Sequence, residues 1–517
     1  MVESATGAMI TEDQSAIIDF LGSPAAHDNG KVVRIDTHAS IVFLAGARAY
    51  KLKRAVRYDY LDFSTAAQRR ALCDAEVRLN RRTAPTLYRR VVAITREADG
   101  SYALEGNGTP VDWVVEMNRF PQDALFDRLA SSGRLDLELM PPLAQSIIDL
   151  HTSAERRPDH GGKQGMTWVI EGNAAGFAEF GAALGRYECY RVTDAASREL
   201  DRRSGLLDAR RESGWVRQCH GDLHLRNIVL LNGRPTLFDG VEFNDDISCI
   251  DVLYDLAFLL MDLWRRQLPR HANLVWNRYV AEMIDLEAVA LLPLFLSCRA
   301  AVRAKTSVTA AHFEREPARR RELEELAGQY LTRAQEFLRP PDPSIVAIGG
   351  FSGSGKSTLA LGLAPSVGTV PGAVVLRSDE VRKRLCGISP LEHLGPSGYG
   401  AAVSNRVYRT LAERAAAVAR AGHSVIVDAV FAGAADREDI QRAAAEAAVP
   451  FIGIWLDAPE ETLVARVGRR RNDPSDADDA VVRLQRTQKA GAIAWTRVDA
   501  SGSADRVLQC VRSRIAA

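Results

Sequence analysis

The sequence predicts two domains of different class. The first is an α+β domain with a small sheet lobe (to about residue 118) and a helical lobe (119–339); the second is an α/β domain on a parallel sheet (344–517). Three observations predict this. Arg339-Pro340-Pro341-Asp342-Pro343 puts three prolines in four residues, which cannot continue a helix and favours an extended spacer over 340–343. Upstream of it, apolar strand-like runs crowd into the first 118 residues and helical periodicity dominates after Pro121. Downstream, short apolar strands alternate with helical stretches, the pattern of βαβ units. A chain of 517 residues, at roughly 100–200 per domain, is too long for one core.

In the sheet lobe the strands are expected at 32–35, 41–44, 49–52, 91–95 and 111–117, with one helix over about 65–81. In the helical lobe 143–150 and 252–264 are the surest helices. A charged helix over 314–337 puts Leu323, Leu326, Tyr330 and Leu331 on one face. Beyond the spacer, strands are expected at 345–348, 373–376, 424–427 and 451–456.

Hydrophobic residues make up 46% and charged residues 26%, which excludes a mainly disordered chain. Lys+Arg 66 balances Asp+Glu 66, so no global basic field exists and bulk nucleic-acid or acidic-membrane binding is not expected. Only eight of those cations are lysines, so each lysine stands out. The seven cysteines are scattered singly with no CxxC pair, which suits buried thiols in a reduced compartment. Residues 1–10 lack a basic stretch followed by an apolar one, so no signal peptide is expected. The longest apolar run, 288–298, is broken by Pro293 and is far short of the ~20 residues a spanning helix needs. A cytoplasmic protein is expected.

The string His220-Gly221-Asp222-Leu223-His224-Leu225-Arg226-Asn227 fits the kinase catalytic loop H-R-D-L-x-x-x-N at every fixed position except Gly221. Such a loop needs one Asp to accept the proton of a substrate hydroxyl and an Asn to offer its carbonyl oxygen to magnesium. A hairpin closing at Asn232-Gly233 would place Asn227 opposite Phe238, beside Asp239. Two oxygen ligands at one end of a hairpin suit a hard cation, with Asp239 as the second magnesium ligand. Asp251, at a helix start, is expected to cap or brace. A cation on the sheet must hold the ATP phosphates. Lys51 and Lys53 are the candidates, two apart on one strand face, with Lys51 preferred and Glu76 its natural carboxylate partner.

With these residues, 30–300 resembles the aminoglycoside phosphotransferase family, small-molecule kinases with a protein-kinase-like fold. The resemblance implies that Asp222 is the catalytic base and that Asn227 and Asp239 bind metal. Two departures stand out: the late Asp lies in Phe238-Asp239-Gly240, and the loop around Thr37-His38-Ala39-Ser40 has no Gly-rich signature.

Gly350-Phe351-Ser352-Gly353-Ser354-Gly355-Lys356-Ser357 is a full G-x-x-x-x-G-K-[ST] phosphate loop between a strand and a helix that includes Thr358. Its backbone N–H groups close on phosphate oxygens, Lys356 reaches the β/γ-phosphates and Ser357 holds magnesium. The next strands end near Asp379 and at Asp428. Ligands in open α/β sheets sit beyond such carboxyl ends, so Asp379 is aimed at the γ-phosphate and Asp428 at a magnesium water. Arg382, three residues after Asp379, points to the same side. Arg466 and Arg470 share a helix face and are candidates for a cationic lid over the phosphates. Residues 344–500 resemble the P-loop small kinases, among them gluconate kinase, chloramphenicol phosphotransferase, polynucleotide kinase and zeta toxins. That resemblance implies that Asp379 activates the acceptor hydroxyl and Arg382 holds its phosphate. The whole chain resembles bacterial bifunctional aminoglycoside phosphotransferase/ATP-binding fusion proteins.

The expectation is an ATP- and Mg2+-dependent phosphotransferase with two ATP sites acting on small-molecule hydroxyls. An ATP-binding sensor fused to one active kinase is the alternative from another class, and Asp222, which a sensor does not need, separates the two. A nucleic-acid end kinase is a third reading, opposed by the zero net charge.

Overall fold

The computed structural model describes residues 2–3, 9–27, 30–58, 60–389, 391–469, 474–487 and 491–515. The chain forms two compact units. One comprises Met1–Arg266 and Leu294–Leu338, the other Gln267–Pro293 and Arg339–Ala517.

The first unit begins with a six-stranded antiparallel sheet: β1 (Val32–Asp36), β2 (Ser40–Ala45), β3 (Arg48–Lys53), β4 (Tyr88–Arg96), β5 (Tyr102–Leu104) and β6 (Thr109–Asn118), in the order β1-β2-β3-β6-β4-β5. Strand alternation gives each face its own core. Leu44, Ala49, Val115 and Met117 pack on Cys73 and Val77 of helix α1 (Ala66–Asn80). Ile41, Phe43, Leu52 and Val114 pack on Ile17 and Leu21 of the helix Ser15–Gly22. Helix α1 starts where a capping box closes: Thr65 Oγ1 accepts the Gln68 N–H and Gln68 Oε1 accepts the Thr65 N–H.

The helical part follows with α2 (Met140–Ser153), α3 (Gly162–Phe180) and α4 (Arg186–Glu212). A hairpin, β7 (Ile228–Leu231) and β8 (Arg234–Leu237), pairs Ile228 with Leu237 and Leu231 with Arg234. Its turn residues Asn232 (φ 49°) and Gly233 (φ 74°) take the left-handed conformation a two-residue hairpin loop requires. The Phe238 N–H donates to Asn227 O at 3.0 Å, so Asn227 lies opposite Phe238 as the turn position implies. Helix α5 (Val252–Arg265) is buried along most of its length and starts at Asp251, which accepts the Leu253 N–H at 2.8 Å. The unit resumes at Leu294, within α7 (Leu292–Phe313), and continues with α8 (Pro317–Phe337). Every cysteine is a free thiol. No helix among the described residues is long and apolar enough to cross a membrane.

The second unit has a parallel five-stranded sheet of β9 (Ile345–Gly349), β10 (Val374–Arg377), β11 (Val425–Asp428), β12 (Phe451–Asp457) and β13 (Thr496–Asp499), in the order β10-β11-β9-β12-β13. Ile348 pairs with Asp428 and Arg377 with Asp428, which brings the carboxyl ends of β9, β10 and β11 level. Helix α9 (Lys356–Leu363) follows β9, and α10 (Ser378–Leu385) follows β10.

The division differs from the one expected at 340–343, because α6 (Pro269–Met283) belongs to the second unit. The reason is the open edge of β10. Asn277 Oδ1 accepts the Val375 N–H at 2.6 Å, while its Nδ2 donates to Ala373 O at 3.1 Å. Asn273 Nδ2 donates to Pro371 O at 3.0 Å. Two side chains one helical turn apart thus satisfy edge groups that would otherwise lack partners.

Candidate active sites

In the first unit the catalytic-loop string lies between the hairpin and α5. The His220 N–H donates to Asp255 Oδ2 at 3.1 Å and the Gly221 N–H to Asp255 Oδ1 at 2.9 Å. Arg299 Nη1 donates to Gly221 O at 3.3 Å, and His151 Nε2 lies 3.1 Å from Asp255 Oδ2. This clamp explains glycine at 221. Its φ is 82°, and a Cβ there would meet Ile247 O at 3.1 Å and Val241 Cβ at 3.2 Å. His220 Nε2 donates to Phe238 O at 2.9 Å and its Nδ1 accepts the Asp222 N–H at 3.3 Å, which fixes a neutral ring. Burial lowers its pKa, in agreement.

Asn227 Nδ2 donates to Asp222 Oδ2 and to Asp222 O, both at 2.9 Å. Its amide nitrogen is spent on Asp222, so Oδ1 is the atom left to bind a cation. Asp222 keeps 39% of its side-chain surface exposed, and His224 Nε2 lies 3.4 Å from its Oδ2. Lost hydration works against the Asp222 charge, but His224 and then Arg303 outweigh it and hold the carboxyl well below the usual range.

Asp239 has φ 61°, a costly conformation for a non-glycine residue. Two bonds hold it there: the Asp239 N–H donates to Tyr88 Oη at 3.1 Å and the Gly240 N–H to Asn80 Oδ1 at 2.7 Å. Lys51 Nζ lies 2.5 Å from Asp239 Oδ1 and 2.8 Å from Glu76 Oε1. Lys53 Nζ lies 2.6 Å from Glu76 Oε2 and also pairs with Glu242. Both sheet lysines therefore share Glu76; Lys51 is the one that also meets Asp239. Burial opposes the Lys51 charge, yet Asp239 and Glu76 raise its pKa well above the ordinary value. Burial likewise opposes the Glu76 charge, and Lys51 and Lys53 bring its pKa down to about 2. Asp251 accepts Arg210 Nε at 2.7 Å and Nη2 at 2.9 Å, a bidentate brace as well as a helix cap. The oxygen donors Asp239 and Asn227 Oδ1 fit a hard cation, and the Lys51 ammonium fits polyphosphate.

In the second unit the phosphate loop joins β9 to α9. Gly350 (φ 141°) and Gly353 (φ 84°) cannot carry a Cβ: the first would meet Leu456 O at 2.6 Å and the second Leu463 O. The resulting backbone cradle fits phosphate. Lys356 Nζ donates to Phe351 O at 3.2 Å. Ser354 Oγ is buried without a hydrogen-bond partner, whereas Thr358 is exposed. Ser357 Oγ donates to Asp428 Oδ2 at 2.6 Å, so the two expected metal-side oxygens meet. Asp379 follows β10; burial and then the nearby Asp428 raise its pKa.

Arg382 is buried and donates to Gly398 O at 2.8 Å and Ser404 Oγ at 3.1 Å, with its guanidinium 5.0 Å from the Tyr399 ring. It is thereby tied to the 396–404 segment. Arg466, expected in a cationic lid, is held by backbone carbonyls. Its guanidinium donates to Ala500 O at 2.7 Å and Gly502 O at 2.8 Å, because the turn after β13 leaves carbonyls that need donors. Arg470 lies outside the described residues.

The structure adds residues that sequence reasoning missed. Arg377 Nη2 donates to Ser357 Oγ at 3.1 Å and its Nε lies 3.4 Å from Asp428 Oδ2. Gln485, on α11 (Asp479–Thr487) downstream, accepts the Ser352 N–H at 2.8 Å within the loop itself. Arg377 ends the strand that precedes Asp379, a position that could have flagged it. Nothing in the local sequence marks Gln485, Glu242 or Asn80.

Residues 143–292 match the model of a phosphotransferase enzyme family and residues 345–490 that of an AAA domain. Over 485 residues the chain is 28% identical to an uncharacterized protein of Mycobacterium tuberculosis, covering 91% of this chain and 93% of that one. An adenylyl-sulfate kinase of Myxococcus xanthus is 33% identical over 124 residues, 24% of this chain and 62% of that enzyme. Among solved structures, a thermostable mutant of an aminoglycoside phosphotransferase is similar at 14% identity and a TM-score of 0.36, over 60% of this chain and 94% of that one. An APS kinase of Mycobacterium tuberculosis is similar at 21% identity and a TM-score of 0.25, over 34% and 99%. One chain thus carries a segment, 143–292, that matches a phosphotransferase enzyme family and a segment, 345–490, that matches an AAA domain.

Proposed function

We propose that this protein is an ATP- and magnesium-dependent phosphotransferase with two ATP sites, each transferring a γ-phosphoryl group to a hydroxyl of a small molecule. The observation that carries the reading is Asp222, ionised and partly exposed, with its Oδ2 on Asn227 Nδ2 at 2.9 Å. A base must be both charged and reachable; a nucleotide sensor needs neither property there.

In the first site Lys51 holds the α- and β-phosphates and Glu76 orients it. Asp222 takes the proton of the acceptor hydroxyl as that oxygen attacks the γ-phosphorus and the bond to the β-bridging oxygen breaks. In the second site the backbone cradle and Lys356 bind the phosphates, and Asp379 faces the acceptor. Magnesium, when bound, neutralises charge developing on the phosphates; Asn227 and Asp239 would hold it in the first site, Ser357 and Asp428 in the second. The balanced charge of the chain favours a small acceptor over a nucleic-acid end, in a cytoplasmic setting.

The test uses the full chain carrying Lys356→Ala, which silences the second site, and a screen of small alcohols, sugars and nucleosides. Adding Asp222→Asn is expected to lower the remaining phosphoryl transfer by about 10²–10⁴-fold while nucleotide binding survives. Unchanged transfer would contradict the reading.

A further inference from the structure

The acceptor side of Asp222 carries positive charge that the roles above do not use. Arg226, in the catalytic loop, is largely exposed, and its Nε reaches the Asp127 carboxylate only at 3.7 Å. Arg265 and Arg266, at the end of α5, share one carboxylate, Asp262, at 3.6 and 3.0 Å. Asp262 also accepts the Leu225 N–H at 3.2 Å, which pins both guanidiniums beside the loop. Arg265 and Arg303, from different helices, flank the Tyr330 ring at 5.1 and 5.7 Å. Arg265 Nε is buried with no hydrogen-bond partner. Burial opposes the Arg303 charge, and Tyr330 and then Asp222 raise its pKa. Four guanidiniums therefore gather here, faced by Asp127, Asp262 and Asp222. Like charges held together in this way are relieved by a bound anion.

We propose that the acceptor of the first site is a hydroxyl compound that also bears an oxyanion, a phosphate or a carboxylate, held by Arg226, Arg266 and Arg303 while its hydroxyl meets Asp222. Guanidinium forks match both oxyanions in geometry as well as charge. A polyamino sugar would instead meet repulsion. The assignment rests on Asp222 being the base. The transfer balances as before: the hydroxyl proton passes to Asp222, the new P–O bond forms on the acceptor oxygen, and ADP leaves with the β-bridging oxygen.

The test is calorimetry on the full chain saturated with magnesium and a non-hydrolysable ATP analogue, so that both nucleotide sites are filled. The probes form a charge series: glucose 6-phosphate, gluconate, glucose and glucosamine. Binding is expected for one or both anions and not for glucose or glucosamine, and the stronger anion identifies phosphate or carboxylate as the recognised group. Arg226→Ala and Arg303→Ala are each expected to weaken that binding by roughly tenfold or more, as loss of a charge-assisted hydrogen bond does. Binding of glucosamine in preference, no anion binding, or anion affinity unchanged in both variants would overturn the proposal. Failure of the analogue to bind the first site would instead contradict the phosphotransferase reading beneath it.

Discussion

In the first unit Lys51 and Lys53 stand on one strand and divide a buried carboxylate between them, at 2.8 and 2.6 Å from Glu76. In the second unit Lys356 rests on a loop carbonyl, and the rest of the cradle is backbone shaped by Gly350 and Gly353. The first proposed site would assemble its phosphate-binding charge from side chains far apart in the sequence; the second would draw it from eight consecutive residues. Assembly from a distance demands braces. Asp239 is held from Tyr88 and Asn80, 151 and 160 residues earlier, and the catalytic loop hangs on Asp255. A contiguous loop demands instead that nothing fill its hollow, which is why glycines stand there.

The sharpest way to break this comparison is Glu76→Gln. It leaves two buried ammonium groups short of one charge, and such one-sided removal costs about 3–5 kcal/mol. Chemical denaturation of the full chain should show that loss in the transition of the first unit, with the second unit's transition unmoved. The same pairing sets a pH window. Glu76 is held near 2 in the fold, so its stabilisation is complete above the ordinary carboxylate pKa of about 4.3 and is lost as pH falls from there toward 2. In Glu76→Gln that stretch of the acid-stability curve should flatten.

A smaller effect sharpens the other side. Asn277→Ala removes the partner of the Val375 N–H on the open edge of β10, at about 1–3 kcal/mol, while the Ala373 carbonyl keeps Asn273 Nδ2. The second unit's transition should fall while the first unit's stays. A P-loop unit indifferent to Asn277 would mean that α6 is not part of its fold.

The same contrast governs what could be read in advance. The phosphate loop, the H-x-D-L-x-x-x-N string and the hairpin register are local, and strand and helix positions follow from periodicity in both units. Lys51, Glu76 and Asp239 were legible as types at their spacings, and the structure brings them together. Glu242 beside Lys53, 189 residues away, was not legible, because a lone Glu in a loop reads as solvated. Nor were the partners of Arg466 legible: the Arg-rich helix end suggests a lid, and its guanidinium donates to carbonyls of the turn after β13. The three prolines at 340–343 mark the link between α8 and β9, but the asparagines of α6, one helical turn apart, decide which sheet that helix packs on.

The central claim is that the two constellations are separate ATP sites in one chain. Its most direct test is calorimetric stoichiometry of a non-hydrolysable ATP analogue with magnesium on the full chain. Two analogues per chain are expected for the wild type and one for Lys356→Ala, with the remaining site keeping its affinity. A single analogue bound by the wild type, or none bound after Lys356→Ala, would contradict the account.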